Sequence, residues 1–392
     1  MNNLPYVFIH PMLGPDDGWA AFLAELPSGT RSPELLSQLA HSPQFEEFNP
    51  RLPWFFPAES NCSSLQDKGE RAVIVFSANA APDKQEALAP LESLLRKASR
   101  KLALAASPAI KLPASGTWDY LLIDASHARS LPPYNLLGIA SRTMIGITGL
   151  HTPNDREWSQ ANACSFSTGE YLLARSMTQG KADMTKLKLL KLLSLIEGDA
   201  NTSDLEDIFR EESKLSYSLL RLVNSAAMSP RSPITSFGQA INLLGRRQLQ
   251  RWLQLLVYSD PNNGQHPTPL LPKAAARGRL IELLCSRLPL DPALEHPEDM
   301  AFMIGTFSLL DVLLNMPMSD ILNQLPLPEP ARQALGDHSG PFGELLCAIC
   351  AGDQRDLGTA AAKLDALGIS PEIHLDAQLT ATSWAAKIHP TN

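Results

Sequence analysis

A chain of 392 residues exceeds an ordinary single domain, and a hydrophobic share of 44% supplies more than one core, so two domains are expected. The net charge of −8 argues against a general binder of nucleic acid or of anionic membranes, since both require a basic face. No apolar run reaches membrane-spanning length, Met1 to Pro5 lack a signal-peptide pattern and the five cysteines are scattered, so a reducing cytoplasm is the expected location.

From the N-terminus to about residue 178, short apolar runs alternate with amphipathic segments. Tyr6-Val7-Phe8-Ile9, Trp54-Phe55-Phe56, Ala72 to Phe76, Leu102-Ala103-Leu104, Tyr120 to Ile123 and Met144 to Ile147 read as strands. Their near-continuous apolarity predicts burial on both faces, as in a parallel sheet. Gln85 to Arg96 has a helical leucine spacing, with the regular helix expected to begin at Pro90. Strand and helix in alternation predict an α/β fold, and the strands found suggest an incomplete, TIM-like barrel whose open edges need cover. Asp124 to Arg129 reads as a strand end whose polar turn caps the next segment, Trp19 as barrel packing and His151 as a solvated loop residue.

From residue 183 the rhythm is helical throughout, which predicts an all-α bundle. Leu187, Leu190, Leu193 and Ile196 recur every third residue. Ser203 to Glu206 and Ser236 to Gln239 have the capping-box pattern, and Gly245 is placed to end the second of these helices. Asp260 to Pro272, with four prolines and a glycine, is expected as a loop, with helix resuming at Ala274. Cys347 and Cys350 sit three apart, as on one buried helix face, and no second pair or histidine cluster accompanies them to make a zinc site. The expected domains are 1–178 and 183–392, with the boundary near 176–185.

Leu219 to Ala226, then Ile234-Thr235-Ser236 and Ala240 to Gly245, resemble the core of the HDOD domain. That domain is an all-helical member of the HD-domain superfamily that has lost the catalytic histidine–aspartate pair. The pair belongs in an apolar-apolar-Gly-x-x-His-Asp helix; the matching stretch Ala301 to Asp311 places Ser308 and Leu309 there. Serine and leucine cannot hold a bimetal centre. Downstream, Met316-Pro317-Met318, Leu325 to Pro328, Gly340-Pro341 and Trp384-Ala385 resemble, in order, the C-terminal extension of bacterial proteins that fuse a degenerate EAL barrel to HDOD.

Residues 5–175 likewise resemble, segment by segment, the EAL barrel phosphodiesterases that cleave cyclic di-GMP. By that resemblance Ala20 takes the place of the signature glutamate, and Ala105-Ala106 that of paired aspartates. Leu122 replaces a lysine before the retained Asp124, Thr148 and His151 replace two glutamates, and Thr168-Gly169 stands for a Gln-Gly pair. Two divalent cations need those oxygen ligands, so the resemblance implies a dead barrel with no cofactor.

The expected function is that of a non-catalytic signal-transduction scaffold in a bacterial, cyclic di-GMP-linked network, acting through protein–protein interaction. The implied partner is a regulatory protein rather than nucleic acid or membrane, and a homodimer is left open. Arg231, Arg246, Arg247 and Arg251 are the candidate partner surface, while Asn224 is expected to satisfy backbone groups. The alternatives are a cyclic di-GMP sensor that binds without hydrolysis and a metal-dependent phosphohydrolase with unrecognised ligands.

Overall fold

Strands β1 (Phe8–Leu13), β2 (Trp19–Glu25), β3 (Trp54–Pro57), β4 (Ala72–Ser77), β5 (Leu102–Ala105), β6 (Tyr120–Asp124), β7 (Met144–Thr148) and β8 (Phe166–Thr168) close into one barrel. The computed structural model describes residues 4–59, 62–175, 194, 213–228, 230, 232–258 and 268–388. Two compact units are present, residues 1–174 with 353–361 and residues 175–352 with 362–392. The expected boundary at 176–185, the leucine repeat from Leu187 and the capping pattern at Ser203 lie outside the described residues.

Strand β1 is antiparallel to β2 and to β8, while β2 through β8 pair in parallel. The C-terminal ends of seven strands, β2 to β8, therefore meet on one face. The barrel interior is apolar, filled by Met12, Ala21, Leu23, Phe55, Val73, Ala103, Tyr120, Leu122 and Phe166.

The expected incomplete barrel is thus corrected to a closed ring of eight strands, with no open edge left to cover. The two strands that complete it read weakly in sequence. Strand β2 carries three alanines, and β8 is three residues long, too short to display a period of two. Closure is secured by Arg156 of helix α6 (Pro153–Ala161), which is buried beneath the β1–β2 turn. It donates to Asp17 Oδ1 at 2.7 Å, to the Gly14 carbonyl and to Ser167 Oγ at 2.8 Å, tying that turn to β8.

Outside the ring, helix α1 (Pro33–His41) leads into α2 (Pro43–Glu47), whose Phe45 joins Phe22, Phe48, Trp54 and Phe56 in an aromatic layer. Trp19 packs edge-on against Phe22 at 5.9 Å, as expected for barrel packing. Helix α3 (Pro82–Lys97) begins well before Pro90: Pro82 occupies the first turn, where its missing N–H costs nothing, and the helix runs on through Pro90. Helices α4 (Ala125–Ser130) and α5 (Pro133–Ala140) fill the connection from β6 to β7.

In the helical unit, α7 (Ser213–Val223) ends at Asn224. There Nδ2 donates to the carbonyls of Leu220 and Ile234 at 2.7 and 2.8 Å, and Oδ1 accepts from Ile234 N at 2.8 Å. Asn224 therefore staples the loop as expected, though it is exposed. Ser236 caps α8 (Phe237–Leu256) by accepting from Gln239 N at 3.1 Å, while Gln239 Oε1 reaches back to Thr235 N. Gly245, at φ +72°, breaks α8 where a stop was expected, and helix restarts directly beyond it.

Helix α9 (Leu270–Leu284) starts inside the segment expected to be loop, with Pro272 in its first turn. It packs between α10 (Pro297–Phe307) and the C-terminal helix Pro371–Ile388. A Cβ on Gly305 would stand 2.6 Å from Gly278 Cα, so the two glycines let α9 and α10 approach at backbone distance. Short helices α11 (Leu310–Leu314), α12 (Met318–Leu322) and α13 (Glu329–Gly336) precede α14 (Gly340–Asp353) and α15 (Leu357–Ala366). Cys347 and Cys350 lie on α14, half-buried rather than fully buried. Among the described residues no helix is long and apolar enough to cross a membrane.

Candidate functional site

The C-terminal face of the parallel strands is where barrels of this kind place their chemistry. Leu122 lies in the barrel's apolar cluster, and Ala20, half-buried, packs against that cluster. A Cβ on Gly146 would come within 2.7 Å of Leu122 Cδ2, so the leucine fills the space above that glycine. Ala105 ends β5, and the N–H of Ala106 donates to the Leu122 carbonyl at 2.8 Å. Thr148 ends β7, and Thr168, at the end of β8, is buried. His151 stands apart as an exposed loop residue whose N–H donates to Asp155 Oδ2 at 3.1 Å.

Asp124 caps α4, accepting from Ser126 N at 2.9 Å and from Ser126 Oγ at 2.5 Å. The polar turn expected after β6 is therefore a cap. Among the described residues no group of three or more His, Cys, Asp or Glu side chains is placed to hold a metal ion.

The same face carries charged residues that sequence reasoning did not single out. Glu25 ends β2, and Glu170 follows β8. Arg355 donates from Nη2 and Nε to the two oxygens of Glu25 at 2.6 and 2.8 Å, and from Nη1 to Glu170 Oε1 at 3.3 Å. His10 Nε2 lies 3.6 Å from Glu25 Oε2. Burial alone would push the Glu25 carboxyl upward; the hydrogen bond and charge of Arg355, with His10, hold it below the usual carboxylate range. Arg355 is held above its ordinary value by the two glutamates, against the effect of burial. Glu59, just beyond β3, is buried, and burial raises its carboxyl. Strand-end position was the available signal for Glu25 and Glu59; Arg355, hundreds of residues away in sequence, gave none.

In the helical unit, Ser308 and Leu309 come directly after α10. Leu309 is buried. Ser308 Oγ donates to the Gly305 carbonyl at 2.7 Å and accepts from Arg277 Nη1 at 2.8 Å. Arg277 is buried at 4% exposure, so a guanidinium faces the first position of the lost pair. Nearby, burial raises the Asp311 carboxyl despite the opposing charges of Arg175 and Arg277. The buried Tyr258 hydroxyl is raised too, and donates to the Thr306 carbonyl at 2.5 Å.

Of the four arginines of the candidate partner surface, two have described side chains, Arg247 and Arg251. Arg231 lies outside the described residues, as does the side chain of Arg246. Arg251 is a half-buried ion-pair partner rather than a surface cation: it meets Asp299 and Glu282 at 2.7 Å each and stacks over Phe302. The reason is its position on the α8 face turned toward α9 and α10, which carry those acids. Arg247 is the exposed member, with Nε donating to Asp299 Oδ2 at 2.7 Å. Both line a cavity of about 250 Å³ with Gln250, His296 and Met300.

Residues 187–335 match the HDOD domain family. The cyclic di-GMP phosphodiesterase CdgJ of Vibrio cholerae serotype O1 is 33% identical over 141 residues, 36% of this chain and 32% of CdgJ. The uncharacterized protein YuxH of Bacillus subtilis is 29% identical over 158 residues, 40% of this chain and 37% of YuxH. The chain thus spans about a third of the length of these curated relatives. Among solved structures, the EAL-like domain protein YdiV aligns at 12% identity and TM-score 0.33, over 43% of this chain and 92% of that one. The Bacillus subtilis YkuI protein, with an EAL domain and bound cyclic di-GMP and calcium, aligns at 16% identity and TM-score 0.30, over 61% and 72%. Residues 187–335 thus carry an HDOD domain, and it follows an eight-stranded barrel in the chain.

Proposed function

We propose that this protein is a non-catalytic signalling scaffold of a cyclic di-GMP-related bacterial network, working in the cytoplasm through contact with a regulatory protein. The observation that carries this is the chemistry at the inherited positions. Leu122 lies in the apolar cluster of the barrel interior, and Leu309 is buried where a metal-binding aspartate is required. Of the four candidate arginines, Arg247 is the one whose described side chain is exposed, and it would meet an acidic partner beside its ion pair with Asp299. A second reading is favoured by the relative CdgJ, whose name is that of a cyclic di-GMP phosphodiesterase: the chain would then act on, or sense, that nucleotide.

Purified full-length protein incubated with cyclic di-GMP and Mg²⁺ or Mn²⁺ separates the two. No linear product is expected, and Ala20→Glu should restore none, because one carboxylate cannot replace a multi-ligand site. Turnover abolished by EDTA would establish the hydrolase reading; nucleotide binding by calorimetry without turnover would establish a sensor.

A further inference from the structure

Glu25 and Glu170 are both withdrawn from water, and sheet closure puts them on the same face of the barrel. A guanidinium lies between them. Arg355 grips Glu25 with both prongs of its fork and touches Glu170 with the third nitrogen. These contacts cross 330 and 185 residues of chain, so local geometry does not impose them. Arg355 also holds φ at +61°, a left-handed conformation that an L side chain resists and that persists only where its surroundings enforce it. Just beyond, Asp356 Oδ1 accepts from Thr359 N at 3.3 Å, and Leu357, Ala360 and Ala361 are buried.

The grip is local and ionic. Glu170 Oε2 is buried and makes no hydrogen bond, and Gly149 N reaches the other oxygen at a long 3.4 Å, so Arg355 is the main partner of that carboxylate. The apolar anchorage of residues 353–361 amounts to one leucine and two alanines, little beside the barrel core. Leu357 to Ala361 begin helix α15, so the segment leaves the strand ends as a preformed helical turn while the strands beneath stay folded.

We propose that residues 353–361 are a strap, latched by Arg355 over the C-terminal ends of β2 and β8, that covers this part of the barrel face and opens without unfolding the barrel. The strap is an autoinhibitory contact: while latched, it withholds Glu25 and Glu170, at the ends of β2 and β8, from any ligand or partner of that face. This goes beyond the scaffold reading and does not depend on it, since the latch is tested without nucleotide or partner.

Hydrogen exchange of the full-length protein, read by mass spectrometry, tests it. In Arg355→Gln, exchange over 353–361 and around Gly149 should rise about tenfold, while β4 and β6 exchange as in wild type. Adding Glu25→Gln should change little more, because the shared contact is already gone. Arg355→Lys, which keeps the charge and loses the fork, should fall between wild type and Arg355→Gln, and about 1 M salt should move wild type the same way. Exchange over 353–361 staying within about twofold of wild type in Arg355→Gln would overturn the latch. So would an equal rise in β4 and β6, which would make Arg355 a pillar of the whole barrel, or a wild-type profile in Arg355→Lys together with an unaltered response to salt.

Discussion

At the scale of single residues, Leu122 is a packing position. Leu122 fills the barrel interior above Gly146, so Leu122→Ala should cost about 3 kcal/mol in a urea titration, the combined loss of apolar burial and a residual cavity. A surface leucine would cost far less, and a value near zero would remove Leu122 from the core. Asp311 behaves oppositely to a stabilising carboxylate. Its pKa is raised in the folded state, so the folded protein holds its proton more tightly than the unfolded chain does. Its contribution is therefore most favourable at pH below the ordinary carboxylate value and is lost as pH rises through the folded value. Asp311→Asn should raise the melting temperature at pH 7, with the gain shrinking as the pH falls toward 4. Thermal melts across that range check the sign. Glu25 has the reverse sign: its lowered pKa adds stability above the ordinary value, lost as acid titrates the folded carboxyl.

At the scale of elements, the helical unit turns on the crossing of α9 and α10. The structural task of Gly305 is contact: a Cβ there would meet Gly278 Cα at 2.6 Å and the Arg277 carbonyl at 2.8 Å. Gly305→Ala should therefore destabilise by about 3 kcal/mol, read by circular dichroism, although alanine has the better helix propensity. If propensity prevailed, the variant would melt higher than wild type. The capped start at Ser236 and the break at Gly245 were legible because each is written in adjacent residues. The start of α9 was not: prolines around residues 267–272 read as a loop, but Pro272 falls in a first turn, where its missing N–H would have had no helical partner anyway.

For the whole molecule, the scaffold proposal implies indifference to chelation. Melting curves of the full chain with EDTA, with Mg²⁺ and with Mn²⁺ should coincide within about 1 °C; a clear upward shift with either ion would reveal a bound metal. The sequence by itself determined the division into an α/β part and a helical part and the cap at Ser236, since these come from periodicity and residue type read over short windows. It did not determine that the barrel closes. Closure depends on β8, three residues long, and on Arg156 reaching from α6 to Asp17, 139 residues away. Nor did it show that Arg251 turns inward to Asp299 and Glu282, or that Arg355 meets Glu25 and Glu170. A charge in sequence carries no record of its counter-charge; only the folded chain, by bringing distant strand ends and helices to one place, decides which charges are paired and which face the solvent.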